Sequence, residues 1–420
     1  MRIQPNSVDP TERSAKFDAM IRTLSAKNLL LWQSLPEDDP GFSFRFTPAE
    51  QSENEKTIGE QFANLPESDS ALESIHDTNR VFNVQQVRRS VLGSSLIPDN
   101  GVGAIFFEKS EQVTRRFAET AVEFDPAITD TDIHQALRNL WVFNVIQMTL
   151  GLEIRLTPSS FAYSMLYPCT DNGLDSTSRT PDEKRAYVRW LSLWFERGPC
   201  ASFDDWTEKT ADLLAMIEEE YPCSEFADVQ SSLQAIHRAQ MKSLLLHTSP
   251  SERDEERLTA ITIEKGGTSV LADGFLAAGR LSNDQADAFF EYGVVLQLID
   301  DLRDIDEDRS AGHSTPFVRV AECEELDRTT RQLLHYVKDC ARQLAALDSR
   351  HGPQVQDMVE RGCTFLILEA AARHHDFFSK RFLRKVEHAM PLRPVFMREL
   401  YTKIKLQQSH NVVSARLRRA

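Results

Sequence analysis

Apolar residues recur at three- and four-residue spacing along most of this chain, the period of a helix that buries one face. The pattern predicts helices over 13–34, 80–92, 104–122, 131–150, 184–197, 204–219, 226–247, 256–278, 284–306, 324–346, 353–379 and 394–407. Alternating stretches with hairpin turns, the mark of strands, are scarce. Turn-forming segments separate the helices: SLPEDDPGFS at 34–43, IPDNGVG at 97–103, RGPC at 197–200, TSPSERDEE at 248–256 and AMPLRP at 389–394. None is long or biased enough to link domains, and no repeat is present. The expected architecture is a single large all-α domain over 76–420. Residues 1–75 precede it as an N-terminal extension, with a polar stretch, FTPAEQSENEKT, expected to be partly flexible.

Composition narrows the function classes. Among 420 residues, 41% are hydrophobic and 27% charged, which is ordinary for a globular protein. Lys and Arg number 48 against 64 acidic residues, a net charge of −16, so no basic excess exists to neutralise nucleic-acid phosphates. An acidic protein that binds a phosphate needs a local device, such as a metal ion. Six cysteines, Cys169, Cys200, Cys223, Cys323, Cys340 and Cys363, include no CxxC pair. That pattern suggests neither a zinc site nor a disulfide framework and fits a reducing compartment. The N-terminus lacks a signal-peptide core, and no run of about 18 uncharged apolar residues occurs. A cytoplasmic location without membrane insertion is expected.

One stretch is anomalous on this background. LQLIDDLRDIDED, residues 296–308, sets Asp300, Asp301, Asp304, Asp306, Glu307 and Asp308 beside Leu296, Leu298 and Ile299. Like-charge repulsion and desolvation both oppose that arrangement unless a cation sits there. Counting back from Asp304 in helical steps gives Asp301, Asp300, Gln297, Leu296, Gly293 and Phe289, so carboxylates cap an apolar stripe. Asp306, Glu307 and Asp308 fit a solvated helix end equally well.

A second acidic pair lies in SFAYSMLYPCTDNGLDSTS, where Asp171 and Asp175 share a helical face with Tyr167, Ser164 and Tyr163 behind them. Pro168 predicts a helix start or a kink there. Asp171 and Asp300 are 129 residues apart, and two such clusters on two helices suit hard, oxygen-binding Mg²⁺. In TIEKGGTSVLADGFLAAG, residues 262–279, Lys265 stands at the head of an apolar helix beside Gly266 and Gly267, which permit close backbone approach to a phosphate or to another helix. In IHRAQMKSLLLH, residues 236–247, His237, Gln240 and Lys242 are polar on an amphipathic helix, and on spacing alone core or surface roles suit them.

Taken in order, DNGLD at 171–175, IHRAQ at 236–240, KGG at 265–267 and DDLRD at 300–304 resemble the motif series of class I isoprenoid synthases over roughly residues 130–320. The resemblance implies an isoprenoid synthase bundle with a central cavity, in which facing aspartates hold three Mg²⁺ and the diphosphate of an allylic isoprenyl substrate. By position, Asp171 and Asp175 match the first metal motif and Asp300, Asp301 and Asp304 the second. Lys265 matches the diphosphate lysine, with Gln240 and Gln297 as substrate-binding glutamines, and catalysis would rest on Asp171, Asp300 and Lys265. Ser243 stands where prenyltransferases usually carry Asp. Cavity walls would come from Trp141, Phe143, Tyr163, Tyr167, Phe275 and Phe289, although each taken alone suits core packing better.

Three departures bear on the reaction. The first motif is DxxxD rather than DDxxD, and only Arg179 follows it closely, with Lys184 and Arg185 further on, where chain-elongating members carry an arginine pair. Their N-terminal Gly-Lys-Arg subsite has no obvious counterpart either, RSAKF and VQQVRRS being the nearest basic stretches. The resemblance, including the GHSTPF tail after the second motif, therefore implies a terpene synthase. It would convert farnesyl, geranylgeranyl or a longer diphosphate to a hydrocarbon or alcohol. The alternatives are a trans-prenyltransferase, a head-to-head condensing enzyme or a catalytically silent helical partner. Homodimers are common in the superfamily.

Overall fold

The computed structural model describes residues 10–42, 44–63, 102–176, 178–245, 255–348, 350–400 and 402–403. Among the described residues every regular element is helical and none is a strand, as the periodicity predicts. The helices are α1 (Pro10–Ser34), α2 (Pro48–Ala63), α3 (Val102–Phe124), α4 (Asp130–Thr149), α5 (Pro158–Asp175), α6 (Pro181–Arg197), α7 (Asp205–Glu220) and α8 (Ala227–Leu245). They continue with α9 (Glu255–Ala278), α10 (Asn283–Arg303), α11 (Ile305–Ala311), α12 (Pro316–Ala321), α13 (Asp327–Leu347), α14 (Gly352–Arg373) and α15 (Lys380–Ala389). Thr157-Pro158, Thr180-Pro181 and Thr315-Pro316 start three of them in the same way. Each threonine accepts a first-turn N–H, and each proline occupies a position that needs no hydrogen bond.

Helix α9 is the centre of the bundle. It carries apolar or small residues on most sides and touches α1, α4, α5, α8 and α10, so most of it from Leu258 to Leu276 is buried. Its closest neighbour is α10. A β-carbon on Gly293 would overlap the Gly266 carbonyl, one on Gly266 would overlap Gln297, and one on Gly267 would overlap the Phe290 ring. Gly266 and Gly293 bring the two backbones together with no side chain between them, and Gly267 makes room for the Phe290 ring.

Residues 10–63 belong to this packing. Phe17 of α1 lies 5.6 Å from Phe275 of α9, and Asn28 accepts a hydrogen bond from Tyr336. The polar stretch expected to be flexible forms α2, where Gln51 donates to the carbonyls of Glu387 at 2.7 Å and Met390 at 2.9 Å. The boundary at 75/76 and the helix expected over 80–92 lie outside the described residues.

Three other expectations change. The helix that carries Asp171 and Asp175 begins at Pro158, and its first half is missing from the periodic pattern because residues 159–166 are buried on all sides and leave no polar face to alternate with. The helix expected over 284–306 breaks at Asp304, whose φ of −102° and ψ of 14° end α10 and begin α11. The helix expected over 353–379 stops at Arg373, followed by a short 3₁₀ turn, His375–Phe377. No helix is long and apolar enough to cross a membrane among the described residues.

Two predictions follow from the packing. Gly293→Ala should lower stability by about 3 kcal/mol, since neither backbone can yield. Gly362→Ala, in open space on α14, should leave stability unchanged or raise it by about 0.5–1 kcal/mol. Chemical denaturation of both variants checks the contrast. The second concerns Glu291 of α10, fully buried near Lys27, Asp287 and Asp339, whose carboxyl is pushed up to about 7 by burial. The folded state therefore holds a proton that the unfolded chain releases near pH 4.5, and stability falls as pH rises from there through about 7. Thermal unfolding should show Glu291→Gln to be more stable at pH 8, by about 3 kcal/mol, with little difference below pH 4.5.

Candidate functional site

Side-chain contacts fix how α5 runs against α9. The Ser159 hydroxyl donates to the Leu276 carbonyl at 3.2 Å, Tyr163 donates to the Ser269 carbonyl at 3.1 Å, and the hydroxyls of Tyr167 and Ser269 hydrogen-bond each other. Rising residue numbers on α5 thus meet falling numbers on α9, so the helices are antiparallel. One more turn, about 6 Å, carries α5 to Asp171 and α9 back to Lys265. Both residues therefore reach the same end of the pair. Helix α10 is also antiparallel to α9, with Phe289 against Gly274 and Gln297 against Gly266, and so delivers Asp300 and Asp301 to that end. Helix α4 spans the two acidic motifs: Asp132 accepts from the Asn172 amide at 2.6 Å, and Arg138 lies 3.9 Å from Asp300.

The second motif is electrostatically strained. Asp301 is 5% exposed; its Oδ1 accepts from the Gln297 amide at 2.9 Å, while its Oδ2 has no hydrogen-bond partner among the described residues. Burial pushes this carboxyl up to about 7, with the negative charges of Asp308 and Asp300 adding to the effect and Lys265 opposing it. Asp304 stands at the solvent rim, where partial desolvation and the neighbouring Asp300 raise its carboxyl. Asp308 is raised by burial too, opposed by His313 at 3.4 Å and by Lys265. Lys265, partly buried, makes no hydrogen bond or ion pair among the described residues, yet its charge reaches both Asp301 and Asp308.

Two local expectations are corrected here. Lys265 sits in the middle of α9, which begins at Glu255, and not at a helix head. Of the two readings of Pro168, the helix start is excluded, because Pro168 lies inside α5, which begins ten residues earlier at Pro158. Asp171 is partly buried, and Thr170 Oγ1 donates to it at 3.3 Å; Asp175 is the last residue of α5, and its side chain lies outside the described residues.

The remaining candidates divide between the site and the core. Tyr167 and Tyr163 lie directly below the acidic end. Phe275 packs on Phe17, Phe289 is fully buried against Gly274, and Phe143 is fully buried in the core. Trp141 donates to Thr114 Oγ1 at 3.2 Å, tying α4 to α3. Gln240, partly buried on α8, accepts at its backbone carbonyl from Ser243 at 2.8 Å. Lys242 pairs with Glu264 at 2.5 Å, one residue from Lys265. His237 faces α6, 2.9 Å from Ser192 Oγ and 5.3 Å from the Phe195 ring, and burial pushes it down to about 4, so it serves packing.

Several groups at or below this end carry no motif. Arg138 and His313 are ordinary surface-type residues until the fold brings them to Asp300 and Asp308. Asp273 is fully buried on α9, where Asn139 donates to its Oδ1 at 3.1 Å and burial raises it well above the usual carboxylate range. A lone acid within VLADGFL was its visible signal.

Chemically, Asp171, Asp300, Asp301, Asp304 and Asp308 are oxygen donors suited to a hard divalent cation, and Lys265 and Arg138 suit an anion. Among the described residues no three acidic, histidine or cysteine side chains alone enclose a metal ion. A divalent cation here would need water and substrate phosphate to complete its coordination shell. The unpartnered, buried Asp301 Oδ2 is the atom that such an ion would satisfy. No protein-family model, curated protein or solved structure matches the chain.

Replacing Asp301 with Asn tests the electrostatic strain. Its folded carboxyl near 7 against an ordinary 3.8 means that ionisation above pH 7 costs stability. Asp301→Asn should therefore be more stable than the parent at pH 8 without divalent cations, by on the order of 3 kcal/mol, measured by thermal unfolding.

Proposed function

We propose that the chain is a class I isoprenoid synthase of the terpene synthase type, acting on a linear allylic isoprenyl diphosphate with Mg²⁺. The observation that carries this reading is the antiparallel register of α5, α9 and α10, which gathers Asp171, Lys265 and the Asp300–Asp304 motif at one end of a helical bundle. Asp171, Asp175, Asp300, Asp301 and Asp304 are the metal-binding residues of this reading, with three ions expected. When bound, Mg²⁺ neutralises charge developing on the leaving diphosphate and so permits carbon–oxygen heterolysis.

The chain supplies the rest. Lys265 directs a positive charge at the diphosphate from a backbone held rigid by Gly266 and Gly293. Gln297 holds Asp301 by one oxygen and leaves the other for coordination. Tyr163 and Tyr167 commit their hydroxyls to Ser269, which turns them into fixed aromatic walls suited to an allylic cation. Gln240, Phe275 and Phe289 take supporting roles along the substrate or behind it. Arg179, the basic residue nearest the first motif, lies 4.2 Å over the Trp206 ring and 4.0 Å from Asp204. Its engagement there favours a synthase over an enzyme needing a second diphosphate subsite. A cytoplasmic homodimer completes the reading.

The test incubates the protein with Mg²⁺ and geranyl, farnesyl, geranylgeranyl or geranylfarnesyl diphosphate, each with and without isopentenyl diphosphate. Diphosphate release and gas chromatography–mass spectrometry are the readouts. The expected result is a hydrocarbon or terpene alcohol from one allylic diphosphate alone, with rates reduced about 100-fold or more in Asp171→Ala and Asp300→Ala. Turnover only with isopentenyl diphosphate would replace this reading with chain elongation, and no diphosphate release from any substrate would overturn both.

A further inference from the structure

Below the candidate site lies an acid that packing does not require. Lys265, Ser269 and Asp273 follow one another at four-residue steps along α9 and so form one stripe, with Asp273 about 12 Å deeper along the helix than Lys265. Asp273 is fully buried. Its Oδ1 accepts from the Asn139 amide of α4 at 3.1 Å, and the same amide donates to Ser164 Oγ of α5 at 3.2 Å. The carboxyl therefore faces the interior between α4, α5 and α9, one turn below the Ser269 that holds Tyr163 and Tyr167.

Its other oxygen, Oδ2, has no hydrogen-bond partner among the described residues. A buried polar atom in this state costs stability, and the local packing gives no reason for it. The Asn139 amide needs one acceptor oxygen, which an asparagine or serine at 273 would supply. Burial holds Asp273 protonated at neutral pH, because it raises the carboxyl well above the usual carboxylate range and only the Asn139 hydrogen bond opposes it. With Oδ1 occupied by the amide N–H, the acid proton sits on Oδ2.

We propose that Asp273 is a catalytic acid that gives its Oδ2 proton to a carbon–carbon double bond of a neutral intermediate in the synthase reaction. This rests on the synthase reading above. The allylic cation cyclises and loses one proton to the departing diphosphate, which leaves a neutral olefin. The Asp273 O–H bond then breaks, and its proton bonds to one olefin carbon through the π pair, leaving a carboxylate beside a new carbocation. Loss of a proton from a different carbon to Oδ2 forms the product double bond and restores the carboxyl. No oxidant or co-reactant is consumed. A buried O–H suits this step, since no water or side-chain acceptor competes with the π bond for the proton.

The test is single turnover in D₂O with the protein in excess, using Mg²⁺ and geranyl, farnesyl, geranylgeranyl and geranylfarnesyl diphosphate in turn. Diphosphate release and the deuterium content of the product by mass spectrometry are read beside thermal unfolding of each variant. The parent's product should carry one deuterium. Asp273→Asn, which keeps an acceptor for Asn139, should lower the labelled product about 100-fold and release an unlabelled olefin in its place. Asp273→Ser serves the same purpose should the asparagine variant not fold. A parent product without deuterium, deuterium retained in a folded variant, or a folded variant that releases no diphosphate overturns the proposal while the synthase reading stands. A parent that releases no diphosphate from any of these substrates overturns both.

Discussion

The contact on which the rest depends is the backbone-to-backbone packing of α9 on α10 at Gly266 and Gly293. Packing this close leaves no room for slippage, because any side chain at either position would force the helices apart. It sets Gln297 against α9, which places Asp301 one turn beyond and brings Lys265 within electrostatic reach of it. Ser269, one turn along α9, then takes the hydroxyls of Tyr163 and Tyr167 and places α5. A single helix surrounded by neighbours thereby sets the relative height of two acidic motifs far apart in sequence.

That arrangement carries an energetic cost. Asp301, Asp304 and Asp308 all hold protons more tightly than ordinary carboxyls, because they are crowded and partly removed from water with little compensating positive charge. Stability alone would favour amides or apolar residues at such positions, so the carboxylates point to a function that requires negative charge. Glu291, also strained on the far side of α10 among Lys27, Asp287 and Asp339, belongs to the packing of α1 and α13.

Much of this was legible in the chain. Amphipathic helices announce themselves by period, and the aspartate motifs stand out because carboxylates beside Leu298 and Ile299 contradict the local pattern. The acidic end of α5 was legible as a helix, but its start at Pro158 was hidden by burial, since residues 159–166 leave no exposed face. The break at Asp304 was hidden because Leu302 and Ile305, both fully buried, continue the apolar period across it. Arg138 and His313 gain their roles only from tertiary neighbours, and no spacing within the sequence encodes those. The polar stretch before residue 63 misled for a related reason: Gln51 and Glu55 are buried polar groups whose partners, Met390 and Arg393, lie near the other end of the chain.

The central claim is that the acidic groups of α5 and α10 share bound cations with a diphosphate beneath Lys265. Diffraction from crystals soaked in Mn²⁺ and inorganic diphosphate, collected at the manganese edge, tests it most directly. The account predicts anomalous peaks within coordination distance of Asp171 and of Asp300 or Asp301, bridged by diphosphate that also contacts Lys265. Peaks confined to the exposed Asp306 and Glu307, or no peaks with the crystals intact, would contradict it.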